Sequence, residues 1–314
     1  MNFISFCDQI VSTVSELYPE CTIKLSDVDK NNGLIYKGLT IIRPGDKIAE
    51  VIYLEPLYEA FLNGSSFKEI INRIEKARLE SKEVNFNLEY FTNYEMVRDK
   101  IMFKLINYEK NKNFLMNIPH RRFMDLAIVY YCAIASKPSE GIVVVKNEHI
   151  SLWNITEKDL YEVACANAIT KNDPDVIPMK NVLAGGPGYL LTGSDYYSES
   201  ESDYDPFPFL KILTNKDRTY GASVILNPGL LCALSHKYNS NFYIIPSSVH
   251  ELILVIDDAD HFDENKANDL YEMVKFVNIT EVDPEDVLSD NLYYYNRTED
   301  SLSDIKSYKE LAMK

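Results

Sequence analysis

The sequence predicts an α+β protein with mixed and antiparallel sheets, flanking helices and two subdomains. Three observations carry this expectation. Apolar residues recur at helical spacing in some segments and alternate, or run β-branched and aromatic, in others. Asn-Gly and Pro-Ser-Glu-Gly stretches fall between neighbouring strand-like runs, the pattern of hairpins. Strands and helices then mix without the strict alternation that a doubly wound parallel sheet requires.

Phe3, Phe6, Ile10, Val14 and Leu17 share one helical face, so the N-terminal stretch reads as an amphipathic helix; it lacks the basic flank of a signal peptide. Ile23 and Leu25 alternate, Asn31-Asn32-Gly33 breaks the pattern, and Leu34, Tyr36, Leu39 and Ile41 resume it, giving two strands joined by a turn. A short strand at EVIYLE leads into helices at 56–62 and 66–80, the second opened by a Ser66/Glu69 capping box. Residues 99–108 fit either a helix or a strand, with strand the preferred reading. Residues 127–135 and 142–150, rich in β-branched and aromatic side chains around a short loop, form a central β-hairpin. A helix capped by Asn154 or Thr156 follows, with Leu160, Val163, Ala164 and Ala168 inward.

The tract GSDYYSESESDYDP, residues 193–206, reads as an acidic low-complexity loop or linker. It divides an N-terminal region, 1–192, built around the hairpin at 126–150, from an acidic C-terminal region, 207–314. In the latter, strands near 207–213, 241–246, 250–257 and 292–295, helices near 228–238 and 263–277, and a C-terminal helix complete the pattern.

Composition narrows the function classes. With 46% hydrophobic and 25% charged residues, the 314-residue chain has the make-up of an ordinary globular protein. A chain of this size buries roughly 70–75% of its unfolded surface without needing staples. Cys7, Cys21, Cys132, Cys165 and Cys232 are odd in number and show no C-x-x-C spacing, which fits a reducing, cytoplasmic compartment. The longest apolar run, Leu126–Ala135, is about half of a membrane span, so no membrane partner is expected. Net charge is −16, unevenly spread: residues 1–150 hold 19 basic and 20 acidic side chains, residues 151–314 hold 13 and 28. An acidic half repels phosphate backbones, which argues against nucleic-acid binding and points instead to a protein partner with a basic surface.

Standard catalytic motifs are missing. The glycine cluster AGGPGYLLTG has no lysine to reach a phosphate, Gly221-Ala222-Ser223 runs on into Val224-Ile225 without the last glycine of a nucleophile elbow, and His250-Glu251 has no second histidine three residues on. No motif assigns a cofactor. DDADHFDEN, residues 257–265, offers Asp258, Asp260 and His261 as metal ligands but places Phe262 where a calcium loop needs an oxygen; an acidic helix start explains it as well.

One convergence is predicted. If the central hairpin turns at 136–140, paired residue numbers sum to about 276, which sets Glu148 near Ile128 and His149 near Ala127. His120, Arg121 and Asp125 before the first strand then approach Asn147, Glu148 and His149 at the end of the second. His120, Asp125, Glu148 and His149 are the catalytic candidates, and Arg121 and Asn147 the ligand-binding ones; together they could support acid–base chemistry, a divalent metal or capture of an anion. The structural alternative is a buried hairpin ending in polar residues, with Asn117 and Pro119 starting a short helix. On the first reading, His149→Ala leaves stability unchanged or raised.

The stretches NNG…GLTI, IYLEPLYEAF, DKIMFKLINYEKNKNFLMNIPHRRFMDLAIVYY and VKNEHISLWNITEKDLYEVACAN resemble an uncharacterised domain-of-unknown-function family, DUF family 5688, of low-GC Gram-positive gut bacteria. YGASVILNPGLL and IIPSSVHELILVID are also similar in layout to a second uncharacterised family of the same bacteria. The resemblance implies a bacterial cytosolic origin and a full-length family member, and brings no activity or catalytic residue. The sequence therefore leans against an enzyme without closing that door. It favours a non-enzymatic cytoplasmic accessory protein that binds a macromolecule or small ligand; the alternatives are a metal-assisted hydrolase at the hairpin end and an acidic inhibitor that mimics nucleic acid.

Overall fold

The computed structural model describes residues 1–45, 51–80, 91–133, 141–184, 205–257 and 262–305, and the chain divides into units of residues 1–88 and 89–314. In the first unit, helix α1 (Phe3–Leu17) starts where the Asn2 side chain accepts the Ser5 N–H. Strands β1 (Thr22–Asp29), β2 (Ile35–Ile42) and β3 (Val51–Tyr53) form an antiparallel sheet in that order. The turn between β1 and β2 holds Asn32 at φ 61° and Gly33 at φ 71°, left-handed geometry that asparagine and glycine tolerate best. Helices α2 (Leu54–Leu62) and α3 (Phe67–Glu80) complete the unit, and Ser66 and Glu69 exchange the two bonds of the expected capping box. Phe6, Ile10 and Val14 of α1 meet Leu39 and Ile41 of β2 and Ile70 and Ile74 of α3 in its core.

The second unit holds two antiparallel sheets. After α4 (Tyr94–Val97), strand β4 (Ile101–Asn107) pairs with β6 (Leu126–Ala133), which pairs on its other edge with both β5 (His120–Phe123) and β7 (Ile142–Val144). Short α5 (Lys112–Leu115) precedes β5, and α6 (Asn147–Trp153) and α7 (Glu157–Lys171) follow β7. The six-stranded sheet runs β13-β12-β10-β11-β9-β8, from Ser301–Asp304, Tyr293–Asn296, Asn241–Ile245, Leu252–Asp257, Leu210–Asn215 and Pro174–Pro178. Its prolines 174 and 178 sit on an edge strand, where a missing N–H costs least. Helices α8 (Met179–Ala184), α9 (Leu230–Tyr238) and α10 (Glu264–Thr280) and a 3-10 turn at Gly221–Leu226 accompany it.

The α+β class is therefore observed, with every strand pairing among the described residues antiparallel. Several expectations need correction. β8 and β9 flank the acidic tract in sequence yet are paired, so chain from both sides of 193–206 builds one sheet, and the two units part at 88/89 instead. Residues 193–204 of that tract lie outside the described residues, as does the hairpin turn at 136–140. The central hairpin forms with Tyr131 opposite Val144, a sum one short of the expected register, but its second strand stops at Val144. The physical reason is competition: His120 to Phe123 already occupy the β6 edge from Val129 to Leu126. Thus 147–153 is a helix, and the chain from His120 is a strand where a short helix was the alternative expectation. Near the end, 301–304 is a strand; whatever follows Ile305 lies outside the described residues. No helix among the described residues is long and apolar enough to cross a membrane.

Candidate functional site

β5 and β7 abut end to end on one edge of β6, and the contact made there is between Met116–Asn117 and Asn147. The Asn147 N–H donates to Asn117 O at 3.0 Å, and Asn147 Nδ2 donates to Met116 O at 3.2 Å. Strand alternation then sends the side chains to different places. His120 and Arg122 share a face with Tyr108: the His120 ring lies 6.0 Å from the Tyr108 ring, and the Arg122 guanidinium 4.4 Å above it. His120 Nδ1 lies 2.8 Å from Ile118 O, a distance at which the ring N–H donates to the carbonyl.

Arg121 points to the opposite face. Its Nη2 donates to Glu157 Oε2 at 3.1 Å, its guanidinium stacks 3.9 Å over Tyr161, and the fully buried Tyr130 hydroxyl donates to the other oxygen of Glu157. Glu157 opens α7, where the Thr156/Asp159 capping box fixes the helix start, so the carboxylate is delivered to β5 and β6 by local sequence. Burial, with the Glu157 bond, pushes the Tyr130 hydroxyl well above the ordinary tyrosine range, so it stays a donor.

Asp125, in the two-residue turn between β5 and β6, reaches the other sheet: Ser289 Oγ donates to Oδ2 at 2.5 Å and Tyr293 OH to Oδ1 at 2.6 Å. The Glu148 side chain is exposed, 3.8 Å from His149 Nε2. His149 packs edge-on against Phe91 at 4.8 Å and beside Trp153 at 5.8 Å, and its Nδ1 accepts the Lys146 N–H, which helps start α6. Burial, partly offset by Glu148, lowers the His149 pKa, in keeping with a neutral acceptor nitrogen. His149→Ala is accordingly expected to lower stability by about 1–2 kcal/mol through the lost ring packing and N-terminal bond. Urea unfolding followed by the single tryptophan tests this; an unchanged midpoint would restore the sequence expectation.

Of the weaker metal candidates, Asp258, Asp260 and His261 lie outside the described residues. Among the described residues no group of three or more His, Cys, Asp and Glu could hold a metal ion.

A second polar constellation escapes sequence reading altogether. It sits where the Lys104/Tyr131 face of the four-stranded sheet meets the turn before Gly221. Tyr220, at φ 53°, stacks on His250 at 5.6 Å, packs against Tyr131 at 5.4 Å, and carries the Lys104 ammonium 4.4 Å over its ring. The Tyr220 N–H donates to His250 Nδ1 at 3.2 Å, while His250 Nε2 faces Asp286 Oδ1 at 3.4 Å. Burial opposes a charged ring, but the bond to Asp286 and the charges of Asp286 and Glu251 outweigh it, so the His250 pKa is raised. The Tyr220 N–H favours the neutral ring and limits that rise. Burial likewise raises Glu251 and pushes Tyr220 up to about 12. Histidine and aspartate stand 36 positions apart on two loops, so no spacing rule could pair them.

The two histidines act on stability with opposite sign. A raised pKa at His250 gives a contribution fully present below the ordinary imidazole pKa and lost as pH climbs through the raised value. The lowered pKa of His149 gives one present above the ordinary value and lost on acidification. Asp286→Asn should therefore cost more at pH ~6 than at pH ~9, by under about 1 kcal/mol because both side chains are partly solvated. Thermal melts at the two pH values decide it; an equal loss at both would refute the pairing.

These features define an antiparallel α+β protein whose polar clusters join sheet to sheet and helix to sheet. The profile of the family described as a family of unknown function, DUF5688, matches residues 3–297, and the chain belongs to that family. No curated protein and no solved structure matches.

Proposed function

We propose that this chain is a non-enzymatic cytoplasmic accessory protein that binds a protein partner through a basic surface on that partner. One observation carries the reading. Residues 262–305 hold 12 acidic side chains against Lys266, Lys275 and Arg297, and each of those three is engaged: Lys266 with Asp257 at 2.7 Å, Lys275 with Glu272 at 3.3 Å and Arg297 with Asn239. A strongly negative field over one part of the second unit steers a basic partner and repels nucleic acid. Five free cysteines support a reducing compartment. In this reading His120, Arg121, Asp125, Asn147, Glu148 and His149 hold the sheets and helices in place. The test is binding of a basic partner to the full chain over rising salt. Affinity should fall steeply as the Debye length shortens from about 10 Å at 0.1 M to about 3 Å at 1 M, and salt-independent binding would count against the proposal.

A further inference from the structure

An amphipathic surface helix ordinarily turns polar residues to solvent. The outward face of α10 departs from that rule halfway along. Its first turns expose Glu264, Asn265, Asn268, Asp269 and Glu272; its later turns expose Met273 (43%), Phe276 (66%) and Ile279 (83%). These three follow at intervals of three residues and lie on the side away from Ala267 and Val274, which fill the core with Tyr243, Tyr294 and Ile305. Among the described residues nothing covers this phenylalanine and isoleucine, and a contiguous exposed apolar patch on a helix marks an interaction surface.

From this geometry we infer that the outer face of α10 is a docking stripe for an amphipathic, lysine- or arginine-flanked helix of a partner protein. The inference rests on the accessory reading above and names its site and the form of the partner. Charge complementarity selects the occupant. The stripe is bordered by Asp269 on the helix and by Glu281 and Asp283 just past its end, all exposed. The two basic residues of α10 are taken up by Asp257 and Glu272. A second copy of this chain would bring like charge to like charge. An apolar anchor seated on Met273, Phe276 and Ile279, with basic side chains reaching the bordering carboxylates, satisfies both halves of the face. A flexible thioether beside an aromatic and a branched residue suits insertion of a helix at i, i+3/i+4 spacing.

The test uses the full chain and two labelled synthetic peptides of equal composition: a leucine/lysine helix with its leucines on one face, and a scrambled version with no apolar face. Fluorescence anisotropy at low salt should show the amphipathic peptide binding at least about tenfold more tightly than the scrambled one, and Phe276→Ser or Ile279→Ser should each remove about tenfold of that affinity. Both substitutions are at exposed positions, and an unchanged melting temperature confirms that each variant is folded. Equal binding of the two peptides, unaffected by either substitution, would overturn the docking stripe while leaving a general acidic binding surface standing. Failure of both peptides to bind would overturn stripe and accessory reading together. A wild-type dimer that Phe276→Ser turns into a monomer would assign the stripe to a second copy and overturn the inference.

Discussion

Asp125→Ala is expected to destabilise the 89–314 unit by roughly 3–5 kcal/mol, because it removes a carboxylate that accepts the Tyr293 hydroxyl from the other sheet and the Ser289 hydroxyl from the loop before it. Tyr293 and Ser289 are both buried, at 0% and 1% exposure, so neither hydroxyl has ready recourse to water. Burial and the nearby Asp125 charge push the Tyr293 hydroxyl far above the ordinary tyrosine range, so it remains a donor at any working pH. The same corner is tied by Asn107 Nδ2 donating to Leu288 O at 3.0 Å and by the Tyr108 N–H donating to Asp125 O at 3.0 Å, which holds the turn rigidly where the carboxylate must reach. Tyr293→Phe should cost only about 1–2 kcal/mol, since Ser289 still serves Asp125. Asp125→Asn should fall between the two, because its amide keeps one acceptor. Urea unfolding of the three variants gives the order. An alanine variant within about 0.5 kcal/mol of the parent would show that this corner contributes nothing to joining the sheets.

Asp125 illustrates what the sequence can and cannot reveal. Its position at the entry of the strand from Leu126 was legible, because an apolar run follows it; that a strand also precedes it was not. Its partners lie 164 and 168 residues away, on a loop and strand whose placement depends on sheet order. Local signals did well wherever the physics was local: the helical spacing of Phe6, Ile10 and Val14, the Ser66/Glu69 capping box, Thr156 as one of the two cap candidates, and the Asn32-Gly33 turn all operate over a few residues. They failed where two segments competed for one edge. Ile142 to Ile150 carries strand-like residues at both ends, but β5 already fills the edge beyond Tyr130, and the polar run 146–149 then closes a helical turn through His149 Nδ1. The expected cluster set His120, Arg121 and Asp125 beside Asn147, Glu148 and His149; the contacts that form are instead those of Met116 and Asn117 with Asn147, because the second strand ends before the register that would have aligned those side chains. The pairing of His250 with Asp286 was not legible for the same reason as Asp125: both are long-range consequences of topology.

Gly221→Ala should be among the most damaging single substitutions in the chain, costing about 3 kcal/mol or more, although it adds one methyl group and raises local helical propensity. A Cβ at this position would lie 2.1 Å from Thr214 Oγ1, 2.5 Å from His250 O and 2.8 Å from Asn215 N. Two of those atoms are backbone, and both belong to the six-stranded sheet or the loop feeding it, so neither can yield as a flexible side chain would. Thr214 could rotate away only by giving up its 2.8 Å bond to His250 O. Displacing Asn215 in turn disturbs its bonds to Asn172 and to Thr219, which hold the turn that places Tyr220 at φ 53°. Because the penalty is steric rather than conformational, Gly221→Ser should be at least as harmful as alanine, and pairing Gly221→Ala with Thr214→Ala should recover part of the loss. Coupling in that double-mutant cycle of roughly 1 kcal/mol or more is the expected result. A Gly221→Ala protein as stable as the parent would mean that the close approach of turn and sheet is not maintained in solution. The Tyr220–His250–Asp286 constellation built upon it would then fall as well.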